Sequence, residues 1–183
     1  MNFLVLATYN STMDVTIPSG TNCSWGKCAR VRKQLLDKFY TATVKMDFTP
    51  QTVEQAGLLC YYDTQTYASY SLRKDGDNGF RLVVEERRGR EKIKRVVAET
   101  RGINAGVVFL RVKVEGLKRS FYYSTDNVNW HLTGTIENAS YLSDEGTPMW
   151  GFMGTMVGMY ALNYGSGIRI PADFDDFVYS ADR

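Results

Sequence analysis

GVVFLRVKVEGLKRSFYYSTDNVNWHLTG, residues 106–134, carries the plainest two-residue period in the chain. Val108, Leu110, Val112 and Val114 fall on one side, while Arg111, Lys113 and Glu115 fall on the other. Successive side chains of a strand point to opposite faces, so this is a strand with one buried and one wetted side. Glu115-Gly116-Leu117 reverses the chain, Arg119 to Ser124 is rich in strand-favouring aromatics, and Asp126-Asn127 precedes a third run through Trp130 and Leu132. Two tight turns joining three such runs predict a meander of antiparallel neighbours.

Working outward, the same reading extends in both directions. Phe39 to Phe48 places Tyr40, Ala42, Val44, Met46 and Phe48 in alternation with polar residues and reads as a strand, joined to Arg30–Lys38 in one extended stretch. Ala56 to Tyr62 and Tyr67 to Arg73 form a hairpin around Asp63-Thr64-Gln65, and a Gly- and Asp-rich turn after Lys74 leads into Phe80 to Glu86. Asn2 to Ala7 and Met13 to Ile17 are short β-prone runs; Met153 to Tyr164 and Phe174 to Tyr179 supply later strands. No linker, low-complexity tract or fixed-period repeat interrupts the 183 residues. The expectation is one all-β domain, 1–183, folded as a two-sheet antiparallel β-sandwich of some dozen strands.

Composition narrows the function classes. The formal charge of +2 is nearly balanced, which gives no reason to expect nucleic acid or an anionic membrane as partner. The charged stretch from Glu85 to Arg95 mixes both signs and reads as a solvated hairpin tip. The longest apolar run, Phe3 to Ala7, is too short to span a bilayer and lacks the form of a secretory signal, so a secreted protein would take its signal from upstream. Sequons at Asn10, Asn22 and Asn138 agree with an extracellular protein, without requiring one.

Of the three cysteines, Cys60 lies in an apolar run and reads as a small buried hydrophobe. Cys23 and Cys28 are spaced to clip a loop, and two readings stay open, a disulfide or two free thiols; no second pair of ligands supports zinc. The single His131 has no Ser or Cys device beside it. Glycoside hydrolysis would need two carboxylates at a set separation. Glu85, Glu86, Glu115, Asp144 and Glu145 are available, but spacing along the chain brings no two of them together.

Five further stretches, in order, carry a resemblance: 56–63 (AGLLCYYD), 121–130 (FYYSTDNVNW), 141–145 (YLSDE), 157–159 (VGM) and 171–179 (PADFDDFVY). Together with 29–34 (ARVRKQ) they resemble the C-terminal concanavalin A-like β-sandwich of family-43 glycoside hydrolases, the β-xylosidases and α-arabinofuranosidases. The first two dozen residues, with the Cys23–Cys28 loop, depart from the pattern. The resemblance implies a concanavalin A-like jelly roll that accompanies a catalytic propeller holding the active carboxylates. It therefore implies a non-catalytic module that binds xylan or xylo-oligosaccharides, or a structural module that packs on the propeller and completes its active-site mouth; a free-standing sandwich hydrolase is the third reading. It implies an extracellular location, or a cytoplasmic one if the parent is a bacterial intracellular β-xylosidase.

Residues for sugar contact follow from those readings. Trp25 and Trp150 lie in loops, where an indole stacks on a sugar ring or folds back as an anchor; Tyr62, Tyr70 and Tyr122 line a sheet face or enter the core. Trp130 reads as structural, packed beneath a turn that Asp126 caps. No cofactor is required. Asp173 and Asp175 match the family's closing motif and lie on the same side of an extended chain, so they either begin a structural calcium site or satisfy nearby backbone amides.

Overall fold

The computed structural model describes residues 4–6, 13–16, 38–76, 79–104, 106–149, 154–164 and 170–181. Twelve strands lie within them: β1 Leu4–Leu6, β2 Met13–Thr16, β3 Phe39–Phe48, β4 Gln55–Asp63, β5 Thr66–Lys74, β6 Phe80–Arg88, β7 Ile93–Ile103, β8 Val107–Glu115, β9 Lys118–Ser124, β10 His131–Ile136, β11 Met156–Leu162 and β12 Pro171–Ala181. They form two six-stranded sheets. The first runs β1-β11-β4-β5-β6-β7 and the second β10-β9-β8-β3-β12-β2, with every pairing antiparallel. The meander at 106–134 is β8-β9-β10, and β3 occupies the span its alternation predicts. Residues 30–37 and the Cys23–Cys28 loop lie outside the described residues.

The sheets face each other across one core. Ala42, Val44, Met46, Leu110, Val112, Phe121 and Phe174 of the second sheet meet Leu58, Cys60, Tyr70, Leu72, Leu82 and Val84 of the first, all buried. Removing such area from water is the main force holding the layers together. Cys60 is a buried free thiol whose pKa burial pushes up to about 11, in keeping with its reading as a small hydrophobe. Tyr70 also ties the layers by hydrogen bonding: its hydroxyl lies 2.6 Å from Thr133 Oγ1 on β10, and its ring packs 5.4 Å from that of Phe121. The two outer faces differ. On the first sheet a second cluster, Leu59, Tyr61, Tyr67, Tyr160 and Leu162, is buried, so β4 is covered on both sides. On the second sheet the outward residues of β8 are half-buried or exposed, alternating with buried ones.

The charged stretch after Glu85 does more than the sequence reading gave it. Glu86 is fully buried and ion-paired with Arg88 at 3.2 Å and Arg95 at 2.7 Å. Arg88 lies 4.8 Å over the Tyr141 ring, and Arg90 donates to the carbonyl of Thr147. Both signs occur in this hairpin because an interior carboxylate needs cations around it. The exposed charges at its tip are only part of the stretch, and the expectation of a purely solvated tip is corrected. Among the described residues, no helix is long and apolar enough to cross a membrane.

Candidate functional site

Two places combine exposed chemistry with fixed geometry. The first is the outward face of the second sheet. Register places Leu132 of β10, Tyr122 of β9, Arg111 of β8, Thr43 of β3 and Val178 of β12 in one row across five strands. Leu132 and Val178 are more than half exposed. Tyr122 is half-buried, on the strand next to the edge strand β10. Adjacent rows add Lys45 beside Phe109 and Lys113 beside Ser120.

Trp130 completes this face from the connection between β9 and β10. The turn before it is closed by Asp126, whose Oδ1 accepts the backbone N–H groups of Val128 and Asn129 at 2.8 Å each and whose Oδ2 accepts Asn129 Nδ2 at 2.7 Å. Ser124 Oγ also donates to it at 2.8 Å. These bonds, led by the N–H of Asn129, hold the Asp126 carboxyl well below the usual carboxylate range. The turn sets Trp130 against Arg111, with the guanidinium carbon 3.5 Å from the ring centroid. Arg111 Nε donates to Thr43 Oγ1 at 3.0 Å, so two contacts fix the fork. The result is an aromatic and cationic surface whose shape is set before any ligand arrives.

The second place is a cleft of about 290 Å³ lined by Tyr62, Leu142, Ser143, Asp144, Glu145, Gly154 and Thr155. Its rim is the loop after β10, which several elements hold. The Tyr62 hydroxyl donates to Asp144 Oδ1, Thr147 Oγ1 donates to Asp63 Oδ2, and Arg88 and Arg90 hold Tyr141 and Thr147 from the β6–β7 side. Gly146 N–H bonds the Ser143 carbonyl at 3.0 Å, and a Cβ on Gly146 would lie 1.8 Å from the Tyr141 carbonyl oxygen, so this tight loop admits no side chain there. The Glu145 carboxyl is lowered from its ordinary value, first by its own backbone N–H and then by Ser143.

The residues expected from sequence distribute unevenly over these places. Tyr122 belongs to the sheet face. Tyr62 is buried beside the cleft it helps to line, and its hydroxyl donates to Asp144 at the rim. Tyr70 is wholly interior, with no ring face open to solvent; its assignment to sugar stacking is corrected to a bond between the sheets. Trp25 and Trp150 lie outside the described residues. Asp175 Oδ1 accepts the N–H of Asp176 at 2.9 Å, and Asp173 stands opposite Asp47 on β3 and Asp14 on β2. Among the described residues, no group of three or more potential ligands converges to hold a metal. Of the carboxylates offered for hydrolysis, Glu85 pairs with Arg73 and Lys94, Glu86 with Arg88 and Arg95, and Glu115 with Lys113. Asp144 and Glu145 share the cleft rim.

Sequence reading missed Arg111 and gave Trp130 only a structural part. Alternation along β8 puts Arg111 on the wetted side, but nothing in one dimension sets it against a ring nineteen positions later.

The chain is similar to several known proteins. The beta-xylosidase of Bacillus subtilis is 29% identical over 145 residues, which is 76% of this chain and 27% of that protein. Xylosidase/arabinosidase 43B of Humicola insolens is 30% identical over 164 residues, 85% of this chain and 30% of that protein. The crystal structure of a GH43 protein from Bacillus licheniformis superposes with a TM-score of 0.73 at 39% identity, covering 79% of this chain and 28% of that one. The chain thus spans between a quarter and a third of the length of these relatives. Residues 24–180 match the family described as the beta-xylosidase C-terminal concanavalin A-like domain, the GH43 C2 family, and the chain belongs to it.

Proposed function

We propose that this domain is an ancillary module of a GH43 xylosidase-type enzyme, and that it binds xylan or xylo-oligosaccharides while a separate propeller carries out the chemistry. The observation that carries this reading is the Tyr122–Arg111–Trp130 surface, where rings and hydrogen-bond donors lie side by side on a rigid sheet. Sugar rings present apolar C–H faces to aromatics and hydroxyls to polar neighbours, so such a surface suits them. Binding is weak. A stacked ring contributes about 1 kcal/mol beyond area burial, and sugar hydroxyls exchange good bonds to water for bonds to protein. Dissociation constants on the order of micromolar to millimolar follow.

Affinity electrophoresis in gels containing xylan, with calorimetry against xylo-oligosaccharides, tests the reading. Retardation and heat are expected for the parent chain and are weakened in Tyr122→Ala; Trp25→Ala and Trp150→Ala report on the loops. A parent chain that is neither retarded nor produces heat would overturn the binding reading. Release of reducing sugar from xylan, abolished by changing one cleft carboxylate, would overturn its non-catalytic part.

A second reading rests on the other place. The rim loop is held by Asp63, Arg88 and Arg90, yet it leaves Met149 53% exposed beside Pro148. A fixed loop with an exposed apolar tip fits packing against a catalytic partner. Co-purification with a separately expressed GH43 propeller, lost in Met149→Asp, is the result expected of that reading.

A further inference from the structure

We infer that Arg111 binds a carboxylate on the saccharide, so that the surface prefers xylo-oligosaccharides carrying a uronic acid substituent over neutral ones. The inference rests on the sugar-binding reading and adds a substrate class to it. Arg73, Arg81, Arg88, Arg95 and Arg101 each sit within 3.4 Å of a carboxylate. Arg111 holds none among the described residues. Its partners there are a hydroxyl, Thr43 Oγ1, and an aromatic face, that of Trp130. Among the described residues, no protein acceptor meets Nη1 or Nη2, the outer edge of the guanidinium. Two parallel donors in a fixed plane match the two oxygens of a carboxylate, and the charge-assisted pair is about twice as strong as a neutral hydrogen bond.

The neighbourhood agrees in charge. The groups that share this side of the sheet with Arg111 in the adjacent rows are Lys45 and Lys113, with Asp175 across from Lys45. Glu115 lies beyond Lys113 and is ion-paired with it at 2.8 Å; Asp47 and Asp173 lie one row beyond Lys45. In the two rows that flank the fork, two lysines face one carboxylate, Asp175. Its neighbours on one side of the row, Tyr122 and Leu132, offer a floor for the pyranose ring that bears the acid. Because Trp130 covers one face of the guanidinium, the fork is partly withdrawn from water, where an ion pair is less screened than at an open surface.

The test is calorimetry of the 183-residue chain with three ligands: a neutral xylo-oligosaccharide, the same oligosaccharide bearing one glucuronic acid substituent, and its carboxyl-reduced form. The acidic ligand is expected to bind about 10-fold more tightly than the other two. That ratio falls as salt rises toward about 0.5 M, where charges are screened within a few ångströms. In Arg111→Gln the ratio falls to about one. Equal binding of all three ligands by the parent chain would overturn this inference and leave the sugar-binding reading standing, and so would a ratio that survives in Arg111→Gln. Binding of none would overturn the reading itself. Should Arg111→Gln fail to fold, the indole N–H signal of Trp130 in the parent serves instead: it should shift with the acidic ligand and much less with the carboxyl-reduced one, and equal shifts would overturn the inference.

Discussion

The guanidinium carbon of Arg111 lies 3.5 Å from the centroid of the Trp130 ring. The contact joins the turn after β9 to the middle of β8, so an aromatic from the turn and a cation from a central strand become one surface. A stacked pair of this kind contributes about 0.5–1 kcal/mol where it is exposed and more where it is dry. Trp130→Ala is expected to lower stability by about 1 kcal/mol and to weaken xylo-oligosaccharide binding about 5-fold, with Trp130→Phe intermediate. Chemical denaturation and calorimetry on the same samples check it; unchanged affinity in Trp130→Ala would remove the indole from the site.

Tyr70 and Tyr122 give the contrasting pair. Tyr70→Phe leaves the ring packed against Phe121 but strips Thr133 Oγ1 of its partner, so a loss of about 1–2 kcal/mol in unfolding free energy is expected, with sugar affinity unchanged. Tyr122→Ala is expected to do the reverse, weakening the sugar with little loss of stability. A binding defect in Tyr70→Phe would contradict its interior placement.

Much of this fold is legible in the sequence, because a sandwich strand writes its burial as a period of two. β3 and β8 each alternate cleanly, and the turns at Glu115-Gly116-Leu117 and Asp126-Asn127 mark their own positions. β4 is harder to read for a physical reason: it is covered on both faces, so its residues form one apolar run and give no face away. The site is less legible still. It depends on register, which brings Tyr122 opposite Arg111 and sets Lys45 and Lys113 in flanking rows, and register between strands is not written in either strand alone. The two readings left open for Tyr70, sheet face or core, have the same origin. A tyrosine on a strand looks identical whether its hydroxyl meets water or a threonine of the opposite sheet.

Glu86 supports a prediction about the cleft rim. Glu86→Gln keeps the shape and removes the charge that gathers Arg88 and Arg95. Arg95 is 60% exposed and can return to water, which limits the loss to about 1–3 kcal/mol. Arg88 also stacks on Tyr141, so the loosened guanidinium should free the rim loop. Faster proteolysis between residues 141 and 149 than in the parent chain is the expected signature; equal rates would separate the ion pairs from the loop.

Cys60 should be inert while the protein is folded. Its thiol is buried and its pKa is pushed up to about 11, so almost no thiolate is present at pH 8. Alkylation followed by peptide mapping is expected to leave Cys60 unmodified in buffer and to label it fully in denaturant. Rapid labelling in buffer would mean that the sheets open far more often than this packing allows.

The turn that carries Trp130 should impose a pH dependence of known sign. Asp126 accepts backbone N–H groups from Asn129 and Val128 and side-chain donors from Asn129 and Ser124, and these bonds favour its charged form. A carboxyl whose folded-state pKa is depressed binds protons more readily in the unfolded chain, where the usual value is about 3.9. Its stabilisation is complete above that value and fades as pH falls through it toward the folded-state pKa. Asp126→Asn retains the size of the side chain but replaces one acceptor oxygen with a donor, so the variant should melt below the parent at neutral pH. The gap between the two melting temperatures should narrow steadily as the pH is lowered below about 4, because the parent then loses the same interaction. Melting curves of both proteins from pH 7 to pH 2 decide the matter. A gap that stays constant or widens on acidification would show that the carboxylate does not hold this turn, and with it the placement of Trp130 over Arg111 would need another cause.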